Sequence, residues 1–255
     1  MSINKSTIRT IEILELLSNS KNLTLSEISE IMEIPVASTS DILKALLEKQ
    51  MVELANAKAK TYKLGVQAFL LGNSYISHLN IVEIATPFLE ELADQTKYVA
   101  FLAKLSENSI VYLHKENPRK DPMFISYCQI GSHSDITITS LGKAMLAYND
   151  RLLEKLLKKP LPKRTENSIT DPEVLKKELA EIRMNKFSRD NFEKDDRITC
   201  VGFPIFDQTG RVDHAISISG YFDEARDMDR EIELGKKCAE AISLRLGYIE
   251  NINHD

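Results

Sequence analysis

Four groups of side chains in this 255-residue chain have types and spacings that could do chemistry. Ser217 and Ser219 stand two apart in a stretch of strand character, so both would project from one face and present two hydroxyls together. Cys200 is a candidate nucleophile with His214 as its base, but a reactive thiol needs a lowered pKa and an aligned base, and nothing adjacent to Cys200 supplies one. A cysteine that simply fills a tight core is the commoner case. Thr139-Ser140-Leu141-Gly142-Lys143-Ala144-Met145-Leu146-Ala147 is a small-residue turn feeding a helix N-terminus, whose free N–H groups suit an oxygen-rich ligand; the alternative is an ordinary helix start. Finally, Ser38, Thr39, Ser40 and Lys44 lie near the start of a short helix or on its outer face, a polar front suited to a DNA major groove. The cysteines, Cys128, Cys200 and Cys238, are odd in number and far apart, and the histidines have no metal-site spacing with them. Reduced thiols, no metal and no cofactor are expected.

The polar-fronted helix belongs to a stretch from Leu23 to Leu54 that reads as helix, tight turn, helix and first wing strand. Thr24 and Glu27 form a capping box, so a helix starts at Leu25 and carries Leu25, Ile28 and Ile31/Met32 at helical spacing. Pro35 interrupts it and suits the first turn of the next helix, which turns Ile42, Leu43, Leu46 and Leu47 to a core. Val52 to Leu54, a polar turn from Ala55 to Lys60, and Thr61 to Leu64 form a β-hairpin. Lys58 and Lys60 at its tip can contact phosphate without reading sequence. An earlier helix, Thr7 to Leu17, covers the pair with a stripe of Ile8, Ile11, Leu14 and Leu17, and Arg9 on its first turn could meet phosphate.

After Gly65 the chain reads as a helix to His78, apolar over more than one face, which needs a partner and would suit a linker packed against its twin in a dimer. A second domain follows. A helix carries Ile84, Phe88, Leu89 and Leu92; strands at Val99 to Leu105 and Ile110 to His114 flank a turn; and Met123 to Ile130 resembles another strand. Asp171-Pro172-Glu173 starts a helix reaching Met184. Ser188 to Glu193 reads as irregular and polar. Thr199 to Phe206 and Val212 to Ser219 form a hairpin about Asp207-Gln208-Thr209-Gly210, and an amphipathic tail from Asp229 to Tyr248 turns Ile232, Cys238, Ile242 and Leu246 inward. The order of elements predicts an α+β chain of two domains.

A 43% hydrophobic content supplies a packed core, and the net charge of −5 argues against unspecific coating of nucleic acid. Residues 1–65 balance their charges, so the acidic excess falls wholly on the remainder. No apolar signal core or membrane-length run is present, which predicts a soluble, cytoplasmic protein without membrane contact.

These residues resemble the IclR-type bacterial transcriptional regulators. The resemblance rests on Arg9-Thr10 with Ile13-Leu14-Glu15, Leu25-Ser26-Glu27-Ile28, Tyr62-Lys63-Leu64-Gly65, Gly142 to Ala147, Glu193, and Phe203-Pro204-Ile205-Phe206-Asp207 through Gly210, in that order. It implies a winged helix-turn-helix over residues 1–72, a linker helix over 73–82, a GAF-like effector-binding domain over 83–255, and a homodimer or dimer of dimers. It also implies an effector pocket of Asp190, Cys200, Ser217 and Ser219 facing backbone groups near Ser140 and Leu141. The chain departs from the family in having Val36 and Asp41 where lysine and arginine are common, in lacking the glycine usual near Gln50-Met51, and in carrying Leu141 within a small-residue pair.

The resulting expectation is a ligand-responsive regulator, not an enzyme, that binds double-stranded operator DNA and senses a small polar, hydroxylated or acidic metabolite. Any ligand carboxylate should sit at the amides around Ser140–Gly142, away from Asp190. Two rivals are a sensor whose helix-turn-helix serves only protein contacts, and a cysteine-nucleophile enzyme built on Cys200 and His214.

Overall fold

The computed structural model describes residues 4–20, 22–77, 80–120, 126, 128–224 and 226–250, without the side chains of 73 and 75–77. The chain divides into two compact units, Met1–His78 and Leu79–Asp255.

In the first unit α1 (Lys5–Asn19) is followed by β1 (Leu23–Thr24), α2 (Leu25–Ile31) and α3 (Val36–Glu48), then β2 (Val52–Asn56), β3 (Thr61–Leu64) and α4 (Val66–Ser77). The capping box forms as the sequence requires: Thr24 N donates to Glu27 at 2.7 Å and Glu27 N donates to the Thr24 hydroxyl at 3.3 Å. Between α2 and α3, Glu33 turns the chain with a positive φ of 51°, and buried Ile34 is clamped by the Ser29 hydroxyl, which donates to its carbonyl at 2.6 Å. Pro35 is the N-cap of α3. The core is Ile13, Leu17, Ile28, Leu43, Leu46 and Val52. Helix α1 therefore buries a face through Ile13 and Leu17, whereas Ile8 and Ile11, expected inside, are exposed.

The wing pairs β2 with β3 in the expected hairpin, and β3 also pairs with the two-residue β1. Gly65 ends β3 against the backbone of Gln50 and Val52, where a Cβ would collide. Gln50 takes the left-handed conformation (φ 55°), an arrangement a non-glycine residue tolerates at some cost.

The second unit is one antiparallel sheet in the order β6-β5-β4-β9-β8-β7, formed by β4 (Val99–Ser106), β5 (Ser109–Glu116), β6 (His133–Asp135), β7 (Ser188–Asn191), β8 (Ile198–Ile205) and β9 (His214–Tyr221). Helices α5 (Ile81–Thr96) and α9 (Met228–Arg245) pack together over the face carrying Val201, Phe203, Ile216 and Ile218. On the other face lie α6 (Ser140–Leu146) and, beyond it, α7 (Asp150–Leu156) and α8 (Pro172–Asn185).

Two strand assignments change. Residues 188–191, read as irregular, form the edge strand β7, with Ser188 and Asp190 turned inward and Arg189 and Asn191 outward. Half of the strand expected over 123–130 falls outside the described residues; 126 and 128–130 are not strand, and β6 begins at His133.

Candidate functional site

Helix α3 turns Val36, Ala37, Asp41, Lys44 and Glu48 to solvent, with Ser38 and Ser40 half-exposed. Thr39, expected among the DNA-facing residues, is fully buried, and its hydroxyl donates to the Pro35 carbonyl at 3.3 Å. It packs the turn of the motif and cannot reach a groove. Asp41 and Lys44 form an ion pair at 3.3 Å with side chains 78% and 73% exposed. At the wing tip Lys58 and Lys60 are exposed and unpaired among the described residues, on a turn where Asn56 Oδ1 accepts from Lys58 N and Ala59 N at 2.9 and 3.1 Å. Arg9 is half-buried on α1.

In the second unit, Ser140, Leu141, Asp190, Cys200, Ser217 and Ser219 line one cavity of about 670 Å³. Sheet register brings the last four together: Asp190 pairs with Cys200, Cys200 with Ser219, and Phe101 with Ser217, so these side chains share a face. The Cys200 sulfur lies 3.1 Å from the Ser219 hydroxyl. The Ser217 side chain is 2% exposed and its hydroxyl has no partner among the described residues, so it is offered to the cavity.

Helix α6 is seated on the sheet by two glycines. A Cβ at Gly202 would strike the Ser140 carbonyl, and one at Gly142 would strike the backbone of Ile136. Ser188 donates to the Ser140 carbonyl at 2.6 Å, fixing the first turn of α6 against β7 and β8. Thr139 caps Gly142 N at 3.1 Å, while the amides of Ser140 and Leu141 find no acceptor among the described residues.

Asp190 is 2% exposed, and both of its hydrogen bonds, from Glu193 N at 2.8 Å and Lys194 N at 3.4 Å, reach Oδ1. Oδ2 is left for the cavity. Burial pushes this carboxyl up to about 6, with those two amides and Lys143 opposing the shift. Behind it, fully buried Lys143 bonds both Glu178, at 2.7 Å, and Glu193. Burial raises Glu193 to about 7 against the pull of that ammonium. This cluster holds α6, α8 and the segment after β7 in register, and Lys143 was not singled out by its residue type.

Cys200 is unsuited to nucleophilic attack. Burial, with Asp190 adding, pushes its thiol up to about 12, so it stays protonated. His214 sits five residues along β9 from Ser219, the partner of Cys200, hence on the opposite face and about 17 Å away. The pairing needed for a cysteine enzyme is absent. The cavity also gathers residues that sequence reasoning missed: Phe101, Tyr112 and Cys128 in its wall, and Lys194 and Arg197 from the segment after β7.

Residues 6–54 match the family model described as the IclR helix-turn-helix domain, and residues 73–244 match that of the bacterial transcriptional regulator IclR C-terminal. An uncharacterized HTH-type transcriptional regulator of Haemophilus influenzae is 30% identical over 98% of this chain and 95% of its own length. The regulator KdgR of Escherichia coli is 27% identical over 95% of this chain and 93% of its own. Among solved structures, the repressor BlcR of Agobacterium tumefaciens superposes with a TM-score of 0.82 at 25% identity, covering 96% of this chain and 98% of that one. Helix-turn-helix, wing and sheet pocket thus agree with these likenesses in assigning two roles to two units: the chain belongs to the IclR family of bacterial transcriptional regulators, with a DNA-binding domain followed by an effector-binding domain.

Proposed function

We propose that the protein is a cytoplasmic, effector-controlled regulator that binds two-fold operator DNA as a dimer or dimer of dimers and responds to a small hydroxylated acid in the cavity beneath α6. Ser38, Ser40 and Lys44 enter the major groove, and Lys58, Lys60 and Arg9 hold phosphates. The repressor among its structural relatives favours repression as the sign of control.

The observation that carries the effector reading is the hydroxyl of Ser217, a residue only 2% exposed, which has no partner among the described residues and faces the cavity. A hydroxyl left free at a cavity wall is available to donate to and accept from a ligand. Ser219 and Asp190 Oδ2 would bind ligand hydroxyls, and a ligand carboxylate belongs at the Ser140 and Leu141 amides, away from the Asp190 charge. The test is the double change Ser217→Ala with Ser219→Ala. DNA affinity should stay within about twofold, as expected for a site in the other domain, while effector-induced release disappears. A double variant that still responds like the wild type overturns this pocket.

A further inference from the structure

The cavity is also lined by Lys194, Arg197 and Asp195, charged residues that the effector reading leaves unused. Lys194 Nζ donates to the Tyr112 hydroxyl at 3.0 Å and lies 5.2 Å from the centre of its ring. These two residues are far apart in the sheet: Tyr112 is on β5 and Lys194 follows β7, four strand-to-strand steps away in the sheet order. On a flat sheet four steps span about 19 Å. The contact therefore requires the sheet to curl and the segment after β7 to fold back over its face. Phe192, with a φ of 62°, and the two amides on Asp190 Oδ1 make that reversal. Phe101 of β4 and Ser217 and Ser219 of β9 lie on the strands between, so the Lys194 side chain crosses the cavity they line.

What makes this lysine unlike its neighbours is its counter-charge. Lys143 holds two glutamates, and Arg197 has Asp195 and Asp196 at 3.5 and 3.8 Å. Lys194 forms no ion pair among the described residues; its partner is a phenol, which burial keeps neutral. An ammonium resting on a neutral hydroxyl at the wall of a cavity is placed to receive an anion. Resting on the reading of this cavity as the effector pocket, we propose that Lys194 is its second anchor and that the effectors are small dicarboxylates. One carboxylate sits at the Ser140 and Leu141 amides, the other on Lys194, and a hydroxyl or oxo group between them meets Ser217, Ser219 and Asp190. At about 670 Å³ the cavity is in the usual range for a small-molecule site.

Calorimetric titration of the full-length protein with malate, succinate and 2-oxoglutarate, set against butyrate and 2-oxobutyrate, tests this. At least one diacid should bind about tenfold or more tightly than the monoacid of similar length, as a charge-assisted contact provides. Lys194→Gln should erase that preference by weakening the diacid while changing the monoacid less than about twofold, and Tyr112→Phe should retain it. Equal weakening of both classes in Lys194→Gln would reduce the lysine to a cover over the mouth and overturn the inference; so would a wild type without preference, or one that binds none of these probes. The Ser217→Ala, Ser219→Ala protein separates the two readings. If it abolishes diacid binding while Lys194→Gln has no effect, the pocket stands and the second anchor falls; if it leaves diacid binding intact, the pocket itself is misplaced.

Discussion

At the scale of single residues, Asp190 and Asp41 show what a carboxylate does inside and outside the protein. Asp190 titrates near 6 because burial disfavours its charge. Between about pH 4 and 6 the folded chain therefore holds a proton that the unfolded chain has released, and stability from this group falls as pH rises. Asp190→Asn keeps an Oδ1 acceptor for the Glu193 and Lys194 amides. Its stability should match the wild type near pH 4 and exceed it above pH 6, by up to about 3 kcal/mol. Thermal midpoints of the two proteins across that range check this, and a difference independent of pH would refute it. Asp41, by contrast, is exposed, its side chain 78% accessible. It occupies Lys44 at 3.3 Å, and with α3 in the groove, as proposed, it would repel phosphate. Such an exposed pair is worth about 0.2–1 kcal/mol, so Asp41→Ala should tighten binding to all DNA up to about fivefold. A loss confined to one base pair of an operator panel would show instead that Asp41 reads a cytosine.

Among the elements, those with local signals were legible in the sequence. Thr24, Glu27 and Pro35 fix the bounds of α2 and α3 by capping and by a missing donor, and alternation marks the wing and the β8–β9 hairpin. What escaped depends on partners distant in the chain. Strand β7 is polar on both faces, because its inward Ser188 and Asp190 serve α6 and the cavity instead of an apolar core. Thr39 looks like a DNA-facing hydroxyl until its bond to Pro35 is seen, and Lys194 meets Tyr112 across 82 residues of sequence. Helix α9 carries a further tertiary constraint. Gly235 lies against Phe203 of β8, where a Cβ would collide with a fully buried ring. Alanine is intrinsically the better helix former by about 1 kcal/mol. Even so, Gly235→Ala should destabilise the effector domain by about 1–3 kcal/mol, because the ring has nowhere to move. Chemical denaturation showing a more stable variant would mean that α9 can ride outward at little cost.

For the whole molecule, the governing fact is how much apolar surface the N-terminal unit leaves in water. Val66, Phe69, Leu70 and Leu71 of α4 are all at least half exposed, as is Ile11 of α1, with Ile8 also open to solvent. A helix this apolar and this poorly covered is not stable alone in water and needs an apolar partner. A second copy of the chain fits, because helix-turn-helix proteins read two half-sites through two-fold symmetry and an isologous contact buries the same residues on both subunits. Light scattering at micromolar concentration should therefore give at least twice the 28.9 kDa of one chain. Phe69→Glu with Leu70→Glu places carboxylates in the contact and should separate the two DNA-binding domains. Each half-site is then bound alone, and operator affinity should fall by about 10²-fold or more through lost effective concentration. Ligand binding by residues 79–255 should persist in the same variant, since none of the cavity-lining residues is on α4. A wild type that scatters as a single chain, or a doubly charged variant that keeps full operator affinity, would show that α4 is covered by something other than its twin.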